Sequence, residues 1–96
     1  MQAYFAVVEK EPASDYGVFF PDLPGCVTAG HDFNQALAWA HEALELHLGD
    51  VAVADRPRAS SLAEIEASDL YGLAKDHVIA VIRVALPGTS SLEAAE

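Results

Sequence analysis

Two apolar runs near the two ends of the chain constrain its fold more than any other feature. The first is Ala3 to Glu9, with aromatic and β-branched residues, and the second is Asp76 to Leu86, which is rich in β-branched residues. Such runs predict β-strands. Because successive side chains of a strand point to opposite faces, each run puts apolar side chains on both faces of a sheet. We therefore expect a sheet that is covered on both sides.

The residues between these runs predict two further strands and one long helix. Tyr16 to Phe20 and Cys26 to Ala29 are short strands bounded by prolines and turn residues. From Phe33 to Leu48 the apolar residues recur at helical spacing, and Asp32 followed by Gln35 forms a capping box at the start. A second capping box, Ser61 to Glu64, predicts a helix of about two turns that ends near Ser68.

The resulting fold class is α+β, with the order β-β-β-α-(short α)-β. We expect one domain over residues 1–88 and a flexible C-terminal tail over residues 89–96. The first three strands form an antiparallel meander, and the last strand is expected to lie parallel to the first after a right-handed crossover. One long helix covers a single face of the sheet. Either the short helix covers the second face or a second copy does, and we favour a homo-oligomer, a dimer, through that face or the terminal strand edge.

The charge balance favours a protein partner over a nucleic acid. The 96 residues contain 5 Lys plus Arg and 15 Asp plus Glu, for a net charge of −10. Binding to nucleic acid draws on cationic side chains that neutralise phosphates, whereas an acidic surface attracts a basic protein.

The lone Cys26 excludes an internal disulfide. The sequence shows neither a secretory leader nor an apolar run long enough for a bilayer, so we expect a cytoplasmic protein without membrane contact.

No pattern in the sequence predicts catalysis, a metal or a cofactor. Cys26 and His31 lie five positions apart, which places their side chains on opposite faces of an unbroken strand. The four histidines lack metal-ligand spacing, and the interiors of the first and last strands contain no acid for a two-metal site. We therefore expect a protein that is not an enzyme and has no cofactor.

One segment carries a resemblance to a known family. The sequence resembles the HicB antitoxins at the turn Phe20-Pro21-Asp22-Leu23-Pro24-Gly25-Cys26, at Thr28-Ala29-Gly30, and at Ala36-Leu37 and Glu42-Ala43-Leu44 of the helix. The resemblance implies a partial ribonuclease-H-like fold that has lost its catalytic acids. It also implies a type II antitoxin that neutralises a HicA toxin, a small basic mRNA-cleaving protein, by covering the toxin's catalytic surface.

From this resemblance and the charge we predict two groups of partner-binding residues. The first is the corner formed by Phe19, Phe20, Pro21, Asp22 and Leu23, and the second is the helix pair Glu42 and Glu45. Many family members bind DNA through a C-terminal region. Residues 89–96 are too short for such an element and contain no basic residue, so the chain is either a solitary HicB-like domain or a fragment, and no direct nucleic-acid binding by it is expected.

Two other functions remain open from the sequence alone. One is a solitary HicB-like oligomeric domain that binds or regulates without a toxin. The other is an RNA-binding protein or a ribonuclease-H-like nuclease, which only the analogy of fold favours.

Overall fold

The computed structural model of the protein describes residues 2–10, 12–67 and 76–85. Its four strands form one antiparallel sheet, and the predicted strands and helices are confirmed within these ranges. The elements are β1 (Gln2–Lys10), β2 (Tyr16–Phe19), β3 (Val27–Gly30), α1 (Phe33–Gly49), a 3-10 turn (Val53–Asp55), α2 (Leu62–Ala67) and β4 (Asp76–Val84). The strand order is β3-β2-β1-β4. The predicted tail, residues 89–96, and the domain end at residue 88 lie outside the described residues.

The direction of β4 corrects the predicted topology. β4 runs antiparallel to β1, with Asp76 opposite Lys10, so the prediction of a parallel last strand is wrong. The physical reason lies in the connection that follows α1. The Tyr4 hydroxyl donates a hydrogen bond to the Pro57 carbonyl, so at Pro57 the chain lies at the end of the sheet where β1 begins. Since β4 begins at the other end, Pro57 and Asp76 lie at opposite ends of the sheet, and a strand that starts from the Asp76 end runs antiparallel to β1.

The core lies between α1 and one face of the sheet. The helix contributes buried residues at every fourth position, while the strands contribute alternate residues. The core residues are Tyr4, Ala6, Val8, Val18, Phe20, Leu23, Cys26, Ala36, Ala40, Leu44, Leu48, Ile82 and Val84. Burying a large aliphatic or aromatic side chain contributes about 1.5–3 kcal/mol, so this single layer supplies most of the stability.

Both helices begin at the predicted caps. The Asp32 carboxylate accepts a hydrogen bond from the Gln35 N–H at 2.7 Å, and the Gln35 side chain accepts one from the His31 N–H at 2.7 Å. At α2, the Glu64 carboxylate accepts from the Ser61 N–H at 2.8 Å, and the Ser61 hydroxyl accepts from the Glu64 N–H at 3.2 Å. These bonds satisfy backbone donors that have no partner inside a helix.

The opposite face of the sheet, called the outer face below, is also apolar. Its large side chains, identified from the pairing register, are Phe5, Val7, Phe19, Val27, Ile79 and Val81. Val7 is buried at the centre, whereas Val27 and Val81 remain 63% and 43% exposed. Among the described helices, α1 alone packs extensively on the sheet. The alternative in which α2 covers the second face therefore gains no support from the described residues.

Candidate partner-binding surfaces

The turn that carries the family resemblance folds back on itself between β2 and β3. The Phe20 N–H donates to the Cys26 carbonyl at 3.2 Å, the Leu23 N–H to the Phe20 carbonyl at 3.0 Å, and the Cys26 N–H to the Leu23 carbonyl at 3.0 Å. Gly25 has a φ of +89°, which favours glycine. Phe20, Leu23 and Cys26 are buried. The turn is therefore anchored in the hydrophobic core by its own apolar side chains.

Asp22 connects this turn to the chain that leads into α2. One carboxylate oxygen accepts from the Ser60 N–H at 2.6 Å, and the other accepts from the Ser60 hydroxyl at 2.6 Å. Both residues are half-buried. The side chain that we predicted as a partner contact thus already has an internal partner. No local pattern around Ser60 indicates this bond, since the two residues are far apart in sequence.

The structure does not bring the seven predicted residues together on one surface. Phe20 and Leu23 belong to the core, and Pro21 and Asp22 are half-buried at the corner. Phe19 pairs with Val7 and so lies on the outer face of the sheet. The remaining two, Glu42 and Glu45, are exposed on α1. Because α1 packs on the other face, Phe19 and the two glutamates lie on opposite sides of the sheet.

The outward side of α1 carries an apolar stripe that sequence reasoning missed. Trp39 is 43% exposed and Leu46 is 68% exposed, and Glu42 lies exposed between them. The offsets of three, four and seven residues place the three on one side of a helix. We call Trp39, Glu42 and Leu46 the α1 stripe. The available signal was that Trp39 and Leu46 fall outside the apolar residues that recur at helical spacing from Phe33 to Leu48.

The charges of α1 are arranged so that its solvent side is negative. The helix contains no Lys or Arg, it carries Glu42 and Glu45, and Asp50 is its C-cap. The C-terminal end of a helix bears a partial negative charge, so an acid there strengthens the negative potential and lowers the stability of the helix. A cationic partner placed against this end relieves the repulsion. The helix is therefore suited to bind a basic surface.

The groups that we tested for chemistry lie apart from one another. The Cys26 thiol is buried in the core, as predicted, and burial raises its pKa. His31 is exposed, with its Nδ1 3.2 Å from an Asp15 carboxylate oxygen. Within residues 2–10, 12–67 and 76–85, no three His, Cys, Asp or Glu side chains come together as metal ligands would. None of the helices in these ranges is long and apolar enough to span a membrane.

Comparison with known proteins identifies the family of this chain. The model of one protein family, described as the HicB_like antitoxin of bacterial toxin-antitoxin systems, matches residues 4–93. A UPF0150 protein of Helicobacter pylori strain J99 is 38% identical over 81 residues, which cover 83% of this chain and 92% of that protein.

Two crystal structures from Burkholderia pseudomallei have the same fold. The antitoxin HicB is 26% identical with a TM-score of 0.71, over 88% of this chain and 64% of that one, so the present chain spans less than two thirds of its length. The N-terminal domain of HicB is 27% identical with a TM-score of 0.69, over 88% of this chain and the whole of that domain. From the match along residues 4–93 and the shared fold, this chain belongs to the HicB-like family of antitoxins of bacterial toxin–antitoxin systems.

Proposed function

We propose that this chain is an antitoxin that neutralises a basic, HicA-like mRNA-cleaving toxin by capping it, and that it catalyses no reaction itself. The observation that carries the proposal is the α1 stripe, an exposed Trp39 and Leu46 on a helix that has acids and no Lys or Arg. Family membership supports the class of partner. The net charge of −10 supports the basic character of that partner and argues against binding of this chain to nucleic acid. We place this function in the cytoplasm.

The two kinds of side chain on α1 contribute in different ways. A Trp that becomes buried in a protein interface often contributes 2 kcal/mol or more to binding, so Trp39 is the proposed anchor. Exposed charges such as Glu42 and Glu45 contribute about 0–1 kcal/mol each to affinity. They act mainly on the association rate, because they attract the basic partner before contact forms.

The corner residues contribute to this function in two ways. Phe20 and Leu23 are buried, and their packing in the core stabilises the conformation of the corner. Pro21 and Asp22 are half-buried, so the exposed atoms of both residues are accessible to the partner at the edge of the proposed interface. Phe19 belongs to the outer face of the sheet. The proposal also includes self-association of the chain, since apolar side chains at the edges of the sheet are exposed to solvent.

Titration calorimetry and stopped-flow binding test the proposal. The partner in both assays is a HicA-type toxin, a short basic protein. Trp39→Ala should weaken binding by about 30-fold, the equivalent of about 2 kcal/mol. Glu42→Lys/Glu45→Lys should slow association by about tenfold at low salt, with a smaller effect at high salt.

The matched control is Asp15→Lys/Glu66→Lys, which makes the same change in net charge at exposed acids away from the outward side of α1. If the control slows association as much as the α1 pair, and Trp39→Ala binds like wild type, the proposed surface is wrong. Cleavage of RNA by the purified chain, lost on chelation of metal ions, would overturn the proposed class of function.

A further inference from the structure

Trp39 and Glu42 place an aromatic ring beside a carboxylate on the outward side of α1. Trp39 is 43% exposed, and Glu42 is exposed as well. An offset of three residues in a helix brings the two Cβ atoms to about 5–6 Å from each other. Glu42 is also the only acid within four positions of Trp39 in either direction. A side chain of another molecule that reaches the indole ring therefore also reaches this carboxylate.

Neither group is paired with a cation in the described part of the chain. Glu42 forms no ion pair there, and no cation lies over the Trp39 ring. Other acids and rings do have such partners, since Glu64 lies 3.1 Å from Arg58 and the Tyr16 ring has the Lys10 ammonium at 5.9 Å. The helix α1 itself contains no Lys or Arg. A cation from a partner molecule therefore meets no competitor among the described side chains.

The chemistry of the two groups favours arginine as that cation. The face of an indole ring attracts a cation more strongly than the rings of Tyr and Phe do. A guanidinium group is planar, so it can stack on the ring while the N–H groups at its edge donate to a carboxylate. The ammonium of lysine is a compact, strongly hydrated charge without this geometry. Leu46, four positions beyond Glu42 and 68% exposed, offers an apolar surface to the aliphatic part of an arginine.

We propose that the α1 stripe binds one arginine of the basic partner. Its guanidinium stacks on the Trp39 indole and donates hydrogen bonds to the Glu42 carboxylate, and its aliphatic part extends towards Leu46. This inference rests on the proposed function, because it takes the partner to be a basic protein bound at α1, and it names the group that the stripe recognises. Glu45, six positions from Trp39, lies outside the site and contributes only to the long-range attraction.

Fluorinated tryptophan separates the charge distribution of the ring from its size. The chain contains one Trp, so growth on a fluorinated tryptophan changes Trp39 alone, while a HicA-type toxin is produced separately without the label. Fluorine withdraws electrons from the face of the ring and so weakens its attraction for a cation, but it does not make the ring less apolar. In titration calorimetry, a tetrafluorinated ring should weaken toxin binding by about tenfold and a monofluorinated ring by about two- to threefold.

The carboxylate is tested by Glu42→Gln with Glu45→Gln as its matched control, since each removes one exposed negative charge from α1. Glu42→Gln should weaken toxin binding by about fivefold, and Glu45→Gln by less than about twofold. The loss on Glu42→Gln should be smaller when Trp39 is tetrafluorinated, because both groups bind the same guanidinium. A dicarbonyl reagent selective for arginine, followed by mass spectrometry, should find one toxin arginine protected in the complex.

The possible outcomes separate this site from the proposed function. If affinity is equal across the fluorinated series while Trp39→Ala still weakens binding, Trp39 is an apolar anchor, so the arginine site is wrong and the antitoxin function stands. If Trp39→Ala binds like wild type, the proposed surface on α1 fails together with this site. Equal losses from Glu42→Gln and Glu45→Gln, or protection of toxin lysines without any arginine, also overturn the site. Should the fluorinated chain fail to fold by circular dichroism, the glutamine variants and the protection experiment still decide.

Discussion

Replacing Asp22 with alanine tests what holds the corner after β2 to the rest of the domain. The Asp22 carboxylate accepts one hydrogen bond from the Ser60 N–H and one from the Ser60 hydroxyl, both at 2.6 Å. Alanine accepts neither. The backbone N–H of Ser60, which is half-buried, then loses its partner, and the chain leading into α2 loses its attachment to the corner. We therefore expect Asp22→Ala to lower the free energy of unfolding.

The expected magnitude follows from the two bonds. A hydrogen bond to a charged group contributes about 1.5–3 kcal/mol, and a lower value applies where the groups are half exposed to water. Since both bonds here involve one pair of half-buried residues, we expect a loss of about 2–3 kcal/mol. In a domain of this size, 1 kcal/mol changes the melting temperature by about 4–8 °C. Asp22→Ala should therefore melt about 10–20 °C below wild type.

Urea unfolding followed by circular dichroism measures this loss directly. Asp22→Asn keeps one oxygen acceptor and should lose about half as much, roughly 1–1.5 kcal/mol. The control is Asp15→Ala, which removes an exposed carboxylate beside an exposed histidine and should change stability by less than about 0.5 kcal/mol. If Asp22→Ala unfolds at the same urea concentration as the control, the corner is held by its apolar side chains alone.

Two further predictions concern β3 and α2. A Cβ at Gly30 would lie 2.4 Å from the backbone nitrogen of Ala36, so Gly30→Ala should destabilise the domain by about 2 kcal/mol in urea unfolding. Gly17→Ala, which has nothing within 4 Å, should cost far less, and equal losses would contradict the close approach of β3 to α1. Hydrogen bonds from the Ser61 N–H, then from Arg58, lower the Glu64 pKa from 4.5 to about 2. Because the folded pKa is the lower one, this stabilisation of α2 is complete above pH 4.5 and is lost as the pH falls towards about 2. The amide signal of Ser61, whose N–H donates to the Glu64 carboxylate, should shift over this range in wild type but not in Glu64→Gln, and identical titrations would refute the assignment.

The elements of the fold were predictable because their signals are local. Continuous apolar runs indicated β1 and β4, and the capping boxes at Asp32 and Ser61 indicated the starts of both helices. The direction of β4 has no such local signal. It depends on where the chain lies after α1, and the contact that shows this position joins Tyr4 to Pro57, which are distant in sequence.

The candidate surfaces were predictable only in part, for a related reason. The acids Glu42 and Glu45 follow from charge, and the structure leaves both exposed. Trp39 and Leu46 became recognisable as surface residues once the side of α1 that packs on the sheet was known. The sequence motif identified the corner but did not distinguish residues that shape it from residues that present a surface. Phe20 and Leu23 turned out to face inward.

The pairing of β1 with β4 has a kinetic consequence. The two strands exchange backbone hydrogen bonds between the opposite ends of the domain, from Gln2 with Val84 to Lys10 with Asp76. Contacts so distant in sequence raise the contact order, and chains with high contact order fold slowly. During synthesis on the ribosome, β1 lacks one of its two neighbours until β4 has emerged, and its open apolar edge in that interval is available for association with other nascent chains.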